Sequence, residues 1–370
     1  MSFMKKILVL SAAVVASLSL AASAQASGET VAGTTHITSL NGPLYQTAPR
    51  PVNLDIRAEV STPDSATTVL PMKRTTITFP AGMTFNPNNK VTPPCTDQKL
   101  NDQSDLSNAA AIVNACPKSV VGTGTAAIYI GKQKSVLIDD PILVVFNAGT
   151  DSQGRAKLKI YGYSKFTNVG ILMHGTLKGR VLDVAIPMLS LDSAVKYFEL
   201  QIPGPKLDRQ DIGVVAQGLD KNYVHATCPS ANGVWTTNSV FELGERDPST
   251  GNPVGGTTTV NSPPTTQNCT GLAGKAKLKV VKVKGPKAVK RGKKGVFRIT
   301  IKDPGTATAK NVVVRGPGAK RKVGNIAVGR TKTVKVKAKV KGRKGSRAKV
   351  KFVVTGKGAK TTKVVRVKVK

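Results

Sequence analysis

Histidine, tryptophan and acidic side chains are scarce in this chain: three His, one Trp and 20 Asp plus Glu stand among 370 residues. The shortage of histidine narrows the chemistry first. His36, His174 and His225 are scattered, only His225 lies close to a cysteine (Cys228), and no Cys-x-x-Cys occurs, so a zinc-ligand spacing is missing. No Gly-x-Ser-x-Gly elbow is present. Gly122-Thr123-Gly124 lacks the helix that a phosphate-cradling loop must open. Asp139-Asp140-Pro141 and the Asp208–Asp211 stretch read as a turn and a solvated loop rather than as paired catalytic carboxylates. His174 and His225 sit inside strand-like runs without a partner motif. The expectation is a non-enzymatic protein with no catalytic residue, no metal and no cofactor. A secreted hydrolase with an unrecognised site is the alternative from another class.

Long apolar runs are also lacking, with one exception. Lys5 and Lys6 precede an uncharged stretch from Ile7 to Leu20, and Ala22-Ser23-Ala24 follows as a small-residue cleavage site, the pattern of a secretory signal at 1–24. The run is short of the ~20 residues that cross a bilayer, and nothing after residue 30 resembles a transmembrane helix. The first cysteine is Cys95, which argues against lipid anchoring, and neither a Leu-Pro-x-Thr-Gly motif nor an apolar tail ends the sequence. The expected location is extracellular or cell-wall associated. Four cysteines, Cys95, Cys116, Cys228 and Cys269, suit an oxidising compartment. They allow three connectivities. The local pairs Cys95–Cys116 and Cys228–Cys269 are favoured because each closes a loop rich in Pro, Asn and Thr.

What is present in excess is positive charge, and it is unevenly placed. The formal charge is +36. Residues 271–370 hold 34 of the 56 Lys and Arg and a single acid, Asp303, a net of +33. The other 270 residues carry 22 cations and 19 acids. Such asymmetry speaks of partners and solubility rather than of fold.

Hydrophobic periodicity supplies the fold class, which is all-β. Short runs rich in Val, Ile, Thr and aromatics recur between Gly, Pro, Asn and Asp, among them Val52–Val60, Thr75–Phe79, Gly124–Ile130, Ile142–Phe146, Ala156–Tyr163, Gly170–Leu177 and Val234–Leu243. Leu100–Ala115 is the single helical candidate. Residues 25–50 read as an N-terminal segment, 51–243 as a β-sandwich-like domain, and 244–272 as a linker of Pro, Gly, Ser, Thr and Asn. Residues 273–370 read as a separate basic domain in which, from Ala276, Val and Lys alternate strictly, as in Val334-Lys335-Val336-Lys337 and Val365-Arg366-Val367-Lys368. Each strand there has a core side and a wet side. About seven short strands in roughly 100 residues fit an immunoglobulin-like sandwich.

Two resemblances follow from particular residues. The run Val296-Phe297-Arg298-Ile299-Thr300-Ile301-Lys302-Asp303-Pro304-Gly305, continued by Thr306-Ala307-Thr308-Ala309-Lys310-Asn311-Val312, resembles the CARDB-type, cell-adhesion-related domain of bacterial surface proteins. That resemblance covers about the last 95 residues and implies an immunoglobulin-like stalk, spacer or adhesive module. Asp303-Pro304 departs mildly from the usual Asn-x before Gly305. The front part is similar to secreted actinobacterial proteins. The likeness rests on Phe79-Pro80-Ala81-Gly82, Asn86-Pro87, Pro94-Cys95, Cys116-Pro117 and Val121-Gly122-Thr123-Gly124. It implies no activity.

The expected function is adhesion or envelope association, with anionic wall or extracellular polymers as partners. Lys277, Lys279, Lys282, Lys335, Lys337, Lys339, Arg366 and Lys368 are the candidate contacts. Specific nucleic-acid recognition is not expected. Only Phe297 and Phe352 are aromatic in 271–370, so base-stacking platforms are missing. Lys outnumbers Arg there by 26 to 8, which favours diffuse attraction over bidentate base reading. Two bland alternatives stand beside this. The lysines could serve only to keep strands soluble and unpaired at their edges. Equally, the front domain could be a carbohydrate or protein reader, with the rear as spacer.

Overall fold

Alternation of inward apolar and outward polar residues organises nearly every segment of the computed structural model, which describes residues 28–101, 105–187, 193–247, 250, 252 and 254–370. The signal sequence at 1–24 lies outside the described residues. In the front domain the long strands are β1 (Thr30–Ser39), β2 (Arg50–Ser61), β3 (Met72–Thr78), β4 (Val120–Tyr129), β5 (Ile142–Thr150) and β6 (Ala156–Ser164). They continue with β7 (Val169–Lys178), β8 (Val181–Ala185), β9 (Ala194–Ile202), β10 (Gly233–Leu243), β11 (Thr258–Asn261) and β12 (Thr265–Cys269). One sheet runs β11-β10-β3-β8-β7-β6-β5-β4-β9-β2, with β1 added beside β2 and β12 beside β10. All these pairings are antiparallel. The sheet curls on itself, so its two halves face each other across one core, as sandwich layers do. Val52, Leu54, Ile56, Ala58 and Val60 of β2 meet Trp235, Phe241 and Leu243 of β10 in that core.

The curl ends at a seam of side chains instead of a backbone ladder. Gln267 donates Nε2–H to the Ile37 carbonyl at 2.8 Å and accepts the Ile37 amide on Oε1 at 2.8 Å, acting as a surrogate strand residue. The Gly33 amide donates to Ser262 Oγ at 2.8 Å, its carbonyl accepts from Thr265 Oγ1 at 2.8 Å, and Thr35 and Thr237 share a hydroxyl bond of 2.7 Å. Position 33 needs glycine, because a Cβ there would lie 2.9 Å from Ser239 Cβ and 3.1 Å from the Phe241 ring.

This seam moves two expected boundaries. β1 falls in what the sequence presented as an N-terminal segment (25–50), and β11 and β12 fall in the expected linker (244–272). The reason is chemical: these strands bury Thr, Ser and Gln whose hydrogen bonds, rather than apolar area, tie them to the sheet. The chain then leaves the front domain after Gly271–Leu272, which pair with Leu44–Tyr45. The outer face of β4, β5 and β6 is covered by α1 (Asp97–Asn101) and α2 (Ala109–Ala115), around Ile112, Val113, Val144, Phe146 and Tyr161. The expected helix Leu100–Ala115 is thus realised as α2, with the Asn108 side chain accepting the Ala111 amide as cap, and a separate turn of α1. Cys95–Cys116 staples this cover to the sheet, and Cys228–Cys269 joins the start of β10 to the end of β12.

The rear domain is a two-layer sandwich. Strands β13 (Lys279–Lys284), β14 (Lys294–Lys302) and β17 (Thr331–Lys339) form one sheet in the order β13-β14-β17. In the second, a short strand Ala288–Val289 borders β19 (Ala359–Val369), followed by β18 (Arg347–Gly356), β15 (Ala309–Gly316) and β16 (Ala319–Ile326). Phe297, Ile299, Ile301, Val336, Val350, Phe352, Val354 and Val367 fill the space between the layers, with the two Phe rings 5.0 Å apart.

Candidate functional site

Val inward and Lys outward is a local rule of strand geometry, but pairing turns it into rows of charge. Arg298 of β14 lies directly opposite Lys284 of β13 on one side and Lys335 of β17 on the other. Lys279 lies opposite Lys302, and Lys294 opposite Lys339. With Lys282 and Lys337, nine cations occupy the outer face of this three-stranded sheet. Successive rows are about 6.8 Å apart along a strand and strands are about 4.8 Å apart. The opposite layer carries its own rows: Arg347 faces Lys368, Lys349 faces Arg366, and Arg315 faces Lys320.

Of the 34 cations in 271–370, all but the half-buried Lys302 are exposed. The single acid offers them nothing. Asp303 is fully buried, and its carboxylate accepts the amides of Lys277 (3.1 Å), Gly305 (2.8 Å) and Ala309 (2.8 Å). It organises the loop between β14 and β15 and leaves the surface charge unopposed.

The front domain shows the contrary design. Every ion pair found among the described residues lies there, including Arg74–Asp183 at 2.6 Å and the buried Lys159 with Asp97 at 2.6 Å. Arg74, by its hydrogen bond, holds the Asp183 carboxyl below the usual carboxylate range. Burial pushes the imidazole of the half-buried His225 below its ordinary value, and partial desolvation lowers that of the more exposed His174 in the same direction. Among the described residues neither imidazole hydrogen-bonds to Asp139 or Asp183, and Asp183 is taken up by Arg74 and Lys178. No group of three or more His, Cys, Asp or Glu among the described residues is placed to hold a metal ion.

The eight expected contacts are therefore divided. Lys279, Lys282, Lys335, Lys337 and Lys339 share the three-stranded face; Arg366 and Lys368 sit on the other layer; Lys277 lies in the connection before β13, its amide on Asp303. Lys284, Lys294, Arg298 and Lys302 complete the first face and were not among the expected contacts. Their signal was the same alternation, running Lys294-x-Val296-x-Arg298-x-Thr300-x-Lys302.

No protein-family model matches the chain, and no curated protein matches it. Among solved structures, a T6 backbone pilin of serotype M6 Streptococcus pyogenes, a modular three-domain protein, aligns at 8% identity with a TM-score of 0.26. The alignment covers 91% of this chain and 52% of that one, so this chain spans about half of the pilin's length. No helix among the described residues is long and apolar enough to cross a membrane, and the two disulfides fit an oxidising, extracellular setting. The chain is an all-β protein whose rear sandwich bears unpaired cations on both outer faces.

Proposed function

We propose that this is a non-enzymatic surface or extracellular protein. Its rear sandwich associates with anionic polymers of the cell envelope or matrix. The observation that carries the reading is the set of like-charged rows on both layers with the only acid buried beneath them. A flexible polyanion lying along the three-stranded face meets at least one cation in every row, about every 6.8 Å, because Lys337 and Lys282 fill the rows where β14 presents Val296 and Thr300, and no internal ion pair has to break. The likeness of 296–312 to adhesion-related domains supports the same role.

Salt sensitivity is the signature. If about six phosphates of a flexible polymer are neutralised on one face, log K falls with a slope near −4 against log salt. Raising salt from 0.1 to 1 M should then weaken binding by about 10⁴-fold. The test is a wash of cells, and separately of purified wall polymer loaded with the full chain, at both salt concentrations. Release at high salt is the expected result. Retention unchanged by salt would defeat the reading. A full-chain variant with Lys284, Arg298 and Lys335 changed to Gln should elute at distinctly lower salt.

A further inference from the structure

Inside the front domain the curled sheet leaves a cavity of about 80 Å³, and all eight strands from β2 to β9 contribute to its wall. The wall is apolar, with Ile77, Leu143, Met173 and Val184 representative of it. Two buried hydroxyl residues, Thr75 and Ser193, break the pattern. Thr75 of β3 points inward between Met72 and Ile77, is 4% exposed, and its hydroxyl has no hydrogen-bond partner. The other hydroxyls on the wall are already used: Tyr163 donates to Asn168 Oδ1 at 3.0 Å, and Ser193 is engaged as well. One end of the wall comes near the surface, where Pro187 is exposed and Val195 and Phe198 are half-buried.

We infer that this cavity is a binding site for a compact, largely apolar molecule carrying a single hydrogen-bonding oxygen, anchored by the Thr75 hydroxyl. Water is a poor occupant, because a buried water needs about two to four polar partners and the apolar wall offers the free Thr75 hydroxyl alone. A purely apolar occupant would leave that hydroxyl desolvated and unpaired, a cost that an oxygen-bearing ligand removes. Size sets the class further. The cavity is about half the ~150 Å³ that admits benzene, so a ring enters only as side chains shift, and Met72 and Met173 are unbranched and adaptable. This inference concerns the front domain and is independent of the cationic faces.

The experiment uses phenol and toluene, which share a ring and differ in hydroxyl against methyl. The full chain, labelled at its methionine methyls, is titrated with each at millimolar concentration. Both probes should move the Met72 and Met173 methyl resonances. The Thr75→Val variant keeps the shape and removes the anchor. The ratio of phenol to toluene affinity should fall about three- to tenfold in it, the worth of one hydrogen bond. Ala126→Leu, which fills the space, should abolish both titrations. Unmoved methionine methyls in the parent chain would overturn the inference, and so would an affinity ratio that Thr75→Val leaves unchanged. If Ala126→Leu does not fold, the Thr75→Val ratio decides alone.

Discussion

Replacing Arg298 with Glu should make the rear domain more stable and less able to bind. Arg298 sits between Lys284 and Lys335, and all three heads are exposed. Like charges directly opposite one another on a sheet destabilise, and opposite charges stabilise, by about 0.2–1 kcal/mol per pair. Solvent exposure argues for the low end, ~0.3 kcal/mol for each of two repulsions removed and two attractions gained, or about 1 kcal/mol in total. In a domain of this size that raises the midpoint of thermal unfolding by about 4–8 °C. The gain belongs to low salt. With the Debye length falling from ~10 Å at 0.1 M to ~3 Å at 1 M, most of it should vanish, while the parent domain itself becomes more stable as salt rises. Calorimetry of the full chain at the two salt concentrations, alongside binding to inorganic polyphosphate, reads both effects. A variant no more stable than the parent at low salt would show that the row is not repulsive. Unchanged polyphosphate binding would show that this face is not the contact.

Loss of Cys228–Cys269, by Ser at both positions, should lower front-domain stability by up to about 4 kcal/mol, and loss of Cys95–Cys116 by up to about 3 kcal/mol, from loop closures spanning 41 and 21 residues. Denaturant melts should show the front transition moved and the rear one in place. Asp303→Asn leaves one acceptor oxygen where the carboxylate serves three amides, and should cost the rear domain about 2–3 kcal/mol, seen as early loss of amide protection at Gly305 and Ala309. Stability should also fall on acidification below about pH 6.5. The folded-state values of His174 and His225 are lowered by desolvation, so the unfolded chain takes up protons first, and the stabilisation present above the unfolded value is lost as pH drops towards the folded ones. Melts at pH 7.5 and 5.5 should differ in the parent and differ less in His225→Phe.

Strand parity was legible in the tail, but the strict alternation expected there has a defect that went unread. The alternation slips between Val280 and Val283, and there the register of β13 shifts against β14, a bulge that keeps Lys279, Lys282 and Lys284 on one face. Both cysteine pairs were legible from loop length and composition. Parity could not say which layer a strand joins, so Arg366 and Lys368 were grouped with lysines that lie on the other side of the sandwich. Asp303 was read as a lone charge among cations, although its carboxylate serves as the acceptor for three loop amides. In the front domain β1, β11 and β12 escaped notice because Thr, Ser and Gln carry their pairing, and apolar periodicity is blind to hydrogen bonds. The cavity was beyond reach from the sequence, since it is a property of how eight strands curl rather than of any one of them.

Whether the lysines do more than keep a Val-rich domain apart from its neighbours turns on where they lie. Protection against edge pairing requires cations on edge strands. β14 is the central strand of its sheet, hydrogen-bonded on both sides, yet it presents Lys294, Arg298 and Lys302. Solubility is served by a net charge of magnitude ~2–8 with both signs mixed. This domain carries +33 with its sole acid buried, while the front domain of the same chain holds cations and acids in nearly equal number, many of them paired. Repulsive rows across a central strand weaken the fold that bears them. Edge protection leaves the cations of the central strand unexplained, and solubility leaves so large an excess unexplained; under the proposed function, an anionic polymer laid along the row would convert the repulsion into binding energy and stabilise the domain that holds it.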